Sequence, residues 1–128
     1  RRQRQMCIRD SLSGGQVQRA WIAMAIAQDS EILLLDEPTT YLDIKYQIEI
    51  LKLIKNLNKN LGKTIIMVLH DINQSLEYSD TIVGMMKGKI EFQGKASQVL
   101  TGERISKIYD TKLKIIDIEN KKYVFAED

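Results

Sequence analysis

Three stretches of this 128-residue chain carry chemistry in their residue types and spacing. Leu12-Ser13-Gly14-Gly15-Gln16 reads as a glycine turn that opens a helix. The first N–H groups of a helix have no internal partner, and the helix dipole adds partial positive charge, so such a turn suits an oxyanion. Two glycines let the anion approach the backbone, and the Ser13 hydroxyl adds a hydrogen bond. Simple helix capping is the plain alternative; Gln16, Gln18 and Arg19 make the string more specific. The second stretch, Ile32-Leu33-Leu34-Leu35-Asp36-Glu37-Pro38, reads as a buried strand ending in adjacent carboxylates. Asp36 there suits Mg²⁺, held directly or through water. Glu37 beside it can orient or deprotonate an attacking water. A loop that merely ends a strand is the alternative. The third is His70, the only histidine, at the end of an apolar run. No serine-nucleophile motif accompanies it, so a hydrolase triad is not expected.

These groups need positioning elements. Gln16 to Gln28 reads as an Ala-rich helix carrying Trp21, Ile22, Met24 and Ile26, ended by Asp29-Ser30. Residues 31–36 are almost wholly apolar, the texture of a strand buried on both faces of a parallel sheet. Ile44, Ile48, Leu51, Ile54, Leu57 and Leu61 mark an amphipathic helix, and Gly62 stops it. Thr64 to Leu69 is a second apolar strand, and Asp71 to Tyr78 another helix. This order predicts an α/β fold with a parallel sheet, in which ligands sit beyond the C-terminal strand ends. If the strands are parallel, His70 shares an edge with Asp36 and Glu37, where an imidazole can meet a γ-phosphate or the attacking water. After Asp80 the texture changes. Residues 81–86 and Lys89 to Gln93 read as strands paired around Lys87-Gly88. Short helices are expected over 96–109, then a hairpin of Lys112–Ile118 and Lys121–Phe125.

Bulk properties exclude other classes. The length is that of one domain. A net charge of +2 gives no argument for nucleic acid or an anionic membrane surface. Cys7 is the only cysteine, so no internal disulfide forms. No apolar run approaches the ~20 residues of a membrane span. The N-terminal Arg1-Arg2-Gln3-Arg4 is not a secretory signal and reads as a cut within a longer chain, with a processed N-terminus as the alternative. Gly62-Lys63-Thr64 imitates the end of a phosphate-binding P-loop, but Leu57 stands where the motif needs glycine, and Thr64 leads into a strand.

With these residues in place, the chain resembles the C-terminal half of an ATP-binding cassette (ABC) transporter ATPase. Leu12–Gln16 matches the signature, Ile32–Glu37 the Walker B strand, Tyr41-Leu42-Asp43 the D-loop and His70 the switch histidine. Residues 80–94, with Gly88-Lys89-Ile90 and Gly94, match the strands after the switch. Gln18–Ala25 and Asp36–Asp43, notably Trp21 and Thr40-Tyr41, resemble importers of ferric siderophores, haem or cobalamin.

The resemblance implies a partial P-loop NTPase fold: a mostly parallel sheet flanked by helices, with a small β-rich tail. It implies that residues 1–94 belong to the nucleotide-binding domain and 95–128 form a C-terminal helical segment and hairpin. It implies ATP and Mg²⁺ as ligands, with Asp36 on the metal, Glu37 polarising water and His70 on the γ-phosphate. Ser13, Gly14, Gly15 and Gln16 would meet ATP held by the opposite subunit, and Asp43 would couple the two sites. The implied partners are a second ATPase subunit, head to tail, transmembrane permease subunits and, indirectly, an extracytoplasmic substrate-binding protein, with no nucleic acid. The implied location is the cytoplasmic membrane face. The family's Walker A loop, adenine-stacking aromatic and glutamine loop are not among these residues, so the chain alone is expected neither to bind ATP tightly nor to hydrolyse it. A sheet short of strands is expected to expose edges and an apolar face that favour self-association. Two other readings stay open. One is the head of a DNA-repair or chromosome-maintenance ATPase, although sustained heptads are absent. The other is a non-catalytic anion-binding module built on Gly14-Gly15.

Overall fold

The computed structural model describes residues 14–119 and 121–127. They form two compact units, one reaching to Leu69 and one beginning at His70.

The first unit holds α1 (Gly14–Ala27), β1 (Ile32–Asp36), α2 (Ile44–Leu61) and β2 (Thr64–Val68). The strands pair in parallel with Leu33 opposite Ile65 and Asp36 opposite Val68, and α2 is the crossover such a pair requires. Gly62 ends α2 in the left-handed conformation, φ 63°, which glycine adopts without a Cβ penalty. The core joins Ile22 of α1, Leu33 of β1 and Ile50, Ile54 and Leu57 of α2, with Ile26, Leu35, Ile65 and Met67 packed against it.

Two expectations change here. Strand β1 is buried on one face only: Leu33 is 4% exposed, whereas Ile32 and Leu34 are 56% and 74% exposed. Ile66 and Val68 continue that open apolar face across the pair, because α1 and α2 bring their core side chains to Leu33 and Leu35. The apolar stripe of α2 is buried only in its middle. Ile44, Ile48 and Leu61 are exposed, and Ile50, which the spacing did not select, is buried. The helix is about 27 Å long and each strand about 17 Å, so the ends of α2 overhang the sheet.

An ion pair closes the turn between α1 and β1. The Lys63 ammonium donates to Asp29 Oδ1 at 2.9 Å and, by hydrogen bond first and charge second, holds that carboxyl below the usual carboxylate range. A lowered native pKa means that the contribution is complete above the unfolded value and is lost as pH falls through the native one. Urea midpoints should therefore drop between about pH 5 and pH 2 by more in the parent chain than in Asp29→Asn. Asparagine tolerates the left-handed backbone found at residue 29, so the neutral variant isolates the charge. The effect is small because Asp29 is exposed.

The second unit holds α3 (Ile72–Tyr78), β3 (Ile82–Met86), β4 (Lys89–Gly94), α4 (Ala96–Val99), α5 (Gly102–Tyr109), β5 (Leu113–Ile118) and β6 (Lys121–Ala126). Both hairpins expected after Asp80 are present and antiparallel. Its core is Phe92, Leu100, Ile105 and Val124, with Leu76, Ile82, Ile108 and Ile115 packed against it. Gly84 sits opposite Phe92 next to a register shift. A Cβ there would overlap the Phe92 ring and come within 2.8 Å of Ile108 Cδ1. Gly84→Ala should destabilise this unit by about 1–3 kcal/mol, read as a lower thermal midpoint. An unchanged midpoint would mean that the ring moves aside freely.

No helix among the described residues is long and apolar enough to cross a membrane.

Candidate functional site

The site grows from the exit of β1. Asp36 is the last residue of the strand and is exposed; Glu37 is half-buried. Glu37 takes a left-handed backbone, φ 49°, which is uncommon for a residue with a side chain and marks stored strain. The next residues lock it. Pro38 and Thr39 are buried. The Thr40 N–H donates to the Glu37 carbonyl at 3.2 Å, and the Thr40 hydroxyl donates to Glu37 Oε2 at 3.1 Å. The carboxylate is thus held by a short polar side chain three residues on, within a hydrogen-bonded turn.

The chain then passes Tyr41, fully exposed and also left-handed at φ 62°, to Asp43. Asp43 is the N-cap of α2 and accepts from the Tyr46 N–H at 3.1 Å. The Gln47 amide donates back to the Leu42 carbonyl at 2.8 Å. Residues 36–47 are therefore one continuous ordered path from the carboxylates to the start of α2. Helix capping accounts for the aspartate type at 43, and the cap leaves its other carboxylate oxygen available to a partner.

Gly14 and Gly15 are the first two residues of α1, and Gln16 follows them, exposed. They lie at the end of α1 remote from the turn into β1, just as Asp36 lies at the end of β1 remote from that turn. Ser13 lies outside the described residues. Helix α1 is fixed by Ile22 in the core and by an ion pair between Arg19 and Glu49 of α2. His70 is exposed and follows Val68, the partner of Asp36, by two residues, at the start of the second unit.

Sequence reasoning missed Thr40 as the group that anchors Glu37. Its signal was a hydroxyl three residues beyond the second carboxylate. Nothing in the sequence announced the left-handed backbone at Glu37. Among the described residues no cluster of three or more His, Cys, Asp or Glu side chains is arranged to hold a metal. A cation at the β1 exit would take Asp36 or Glu37 as hard oxygen donors and complete its shell elsewhere, as Mg²⁺ does with water and phosphate.

The ABC transporter family matches residues 1–40. The petrobactin import ATP-binding protein FpuC of Bacillus anthracis is 49% identical over 113 residues, 88% of this chain and 42% of that protein. The ferric enterobactin transport ATP-binding protein FepC of Escherichia coli is 50% identical over 108 residues, 84% of this chain and 40% of that protein. The chain thus spans about two-fifths of the length of these relatives. Among solved structures, a metal-chelate-type ABC transporter in an inward-facing conformation superposes with a TM-score of 0.82 at 27% identity, covering 93% of this chain and 49% of the other. A dimeric, post-hydrolysis ATP-binding cassette bound to ADP and Pi superposes with a TM-score of 0.60 at 42% identity, covering 67% of this chain and 37% of the other.

Proposed function

For a chain that belongs to the ATP-binding family of ABC transporters and has part of their P-loop NTPase fold, we propose a role in Mg-ATP hydrolysis that powers import of an iron–siderophore, haem or cobalamin. The carrying observation is the β1 exit, where Glu37 is held in a left-handed turn by Thr40 beside the exposed Asp36. Glu37 is the base that polarises the attacking water, and its anchored carboxylate can do so without first being ordered. Asp36 holds Mg²⁺, which neutralises phosphate charge when bound. His70 contacts the γ-phosphate. Ser13, Gly14, Gly15 and Gln16 serve the ATP of a second, head-to-tail subunit, and Asp43 couples the two sites. Residues 1–94 belong to this machinery, and 95–128 form a C-terminal segment attached to it. The further partners are transmembrane permease subunits and, through them, an extracytoplasmic substrate-binding protein, with the ATPase at the cytoplasmic membrane face. The high identity to siderophore-import ATP-binding proteins supports this cargo class.

The phosphate cradle of a P-loop is not encoded in these 128 residues. Gly62-Lys63-Thr64, its imitation, caps α2 and enters β2. Calorimetric titration of Mg-ATP into the chain should therefore show binding no tighter than millimolar, whereas micromolar binding would mean a self-sufficient site. A chimera in which this chain replaces the matching segment of the enterobactin relative should hydrolyse Mg-ATP within about tenfold of that relative's rate. An inactive but folded chimera would overturn the proposed role.

A further inference from the structure

The residue after His70 begins a short chain of contacts that ends in the C-terminal hairpin. Asp71 caps α3, its Oδ1 accepting from the N–H groups of Asn73 at 2.8 Å and Gln74 at 3.0 Å. Its carbonyl accepts from the N–H and the hydroxyl of Ser75, both at 3.0 Å. Asn73, oriented by that cap, then grips β6 in both directions. Its side-chain amide donates to the Val124 carbonyl at 3.0 Å, and its Oδ1 accepts from the Val124 N–H at 2.8 Å. This is the two-way pairing that a neighbouring strand would make. Val124 is 7% exposed and belongs to the core of the unit, so the grip is on fixed backbone.

Two further ties run the same way. The Tyr109 hydroxyl, at the end of α5, donates to the His70 carbonyl at 3.4 Å, a long bond. The Lys121 ammonium reaches both oxygens of Glu77 on α3, at 3.0 Å each, on the exposed surface. Helix α5 is itself tied to β5, because the Ser106 hydroxyl donates to the Leu113 carbonyl and accepts from the Leu113 N–H. The tail therefore holds the peptide of His70 from one side and the helix that follows it from the other.

We infer that α5 and the β5–β6 hairpin form a brace that sets the position of His70, with Asn73 and Tyr109 as its positioning residues. This rests on the reading of His70 as the γ-phosphate contact. It gives residues 101–126 a function, as the element that decides where that imidazole is presented. Asn73 dominates, because its two bonds are short and its acceptor is buried backbone. Tyr109 adds a tie made directly to the His70 backbone.

His70 is the only histidine, so its ring gives a single, assigned imidazole signal in the 128-residue chain. Asn73→Ala should shift and broaden that signal and speed exchange of the Val124 amide by about tenfold. Asn73→Asp keeps the acceptor for the Val124 N–H but sets a carboxylate oxygen against the Val124 carbonyl in place of the donor, so it too should shift the signal. Tyr109→Phe should shift the His70 and Asp71 amide resonances and leave Val124 protected. Lys121→Ala, which removes only the exposed pair, should leave the imidazole signal unmoved. An unchanged imidazole signal in a folded Asn73→Ala chain overturns the brace. Should that variant fail to fold, an unchanged signal in Asn73→Asp together with unchanged His70 and Asp71 amides in Tyr109→Phe overturns it.

Turnover in the chimera supplies the second arm. Asn73→Ala should lower kcat about tenfold with KM for ATP within about twofold. Placed on His70→Ala, it should cost less than about twofold more, since the residue acts through the histidine. A full additional loss on the His70→Ala background also overturns the proposal. If the unsubstituted chimera is inactive, the reading of His70 as a phosphate contact fails, and the resonance arm still decides whether the brace sets its position.

Discussion

Glu37→Gln in the chimera should leave Mg-ATP affinity within a few-fold and lower kcat by about 10²–10⁴. The amide oxygen of glutamine can still accept from the Thr40 hydroxyl, as Oε2 does now at 3.1 Å, so the turn survives. What is lost is the charge that polarises water and the basicity that takes its proton. Single-turnover phosphate release is the measurement, and a loss of less than threefold would remove Glu37 from the chemistry. A companion variant tests the strain. Glu37→Gly places at φ 49° the one residue that pays no steric cost there. It should raise stability by up to about 1 kcal/mol while turnover falls as far as in Glu37→Gln. A residue that weakens the fold and is indispensable to the reaction is held there for the reaction. Equal loss of stability and turnover would instead make Glu37 a structural residue.

The second large effect lies in the core beneath the site. Ile54 of α2 is 3% exposed and belongs to the cluster that includes Ile22 of α1 and Leu33 of β1. Ile54→Ala removes apolar burial and leaves a cavity where three elements meet, at a cost of about 2–5 kcal/mol. A typical domain has about 5–15 kcal/mol in all, so a large share of the stability of this unit goes. Trp21, the only tryptophan, sits on α1 and reports this unit alone. Its fluorescence in urea should show a midpoint well below that of the parent. A change under about 1 kcal/mol would show that the neighbours collapse into the space. Because Leu33 lies three residues before Asp36 on the same short strand, the same cavity should loosen the carboxylates.

Much of this was legible in the sequence because local rules and chemistry agree. The helix start at Gly14-Gly15, the apolar run ending in Asp36 and Glu37, and the stop at Gly62 each show a period or a breaker that survives in the fold. The hairpins turning at Lys87-Gly88 and after Ile118 do the same. What was not legible depends on three-dimensional packing. Ile32 and Leu34 have the composition of doubly buried positions, but composition does not say which face α1 and α2 will cover. Ile50 joins the core because it lies four residues before Ile54 and seven before Leu57, on the helix face that meets the strands rather than the one that runs on to Ile44 and Ile48. The Asn73 grip on Val124 spans 51 residues and leaves no local trace. The left-handed Glu37 is opposed by its own propensity and exists because Pro38, Thr39 and Thr40 enforce it.

The pairing of β1 with β2 also sets an order of events in time. Its partners Ile32 and Thr64 are 32 residues apart and must wait for α2 to form between them, whereas β3 and β4 meet across Lys87 and Gly88. Local hairpins form in about 1–10 μs, and long-range parallel pairing is intrinsically slower. The β3–β4 and β5–β6 hairpins should therefore form before β1 meets β2, leaving the β1 exit as a later step. The lifetime of unpaired β1, with its run of apolar side chains, then sets how long the newly made chain is exposed to misassociation.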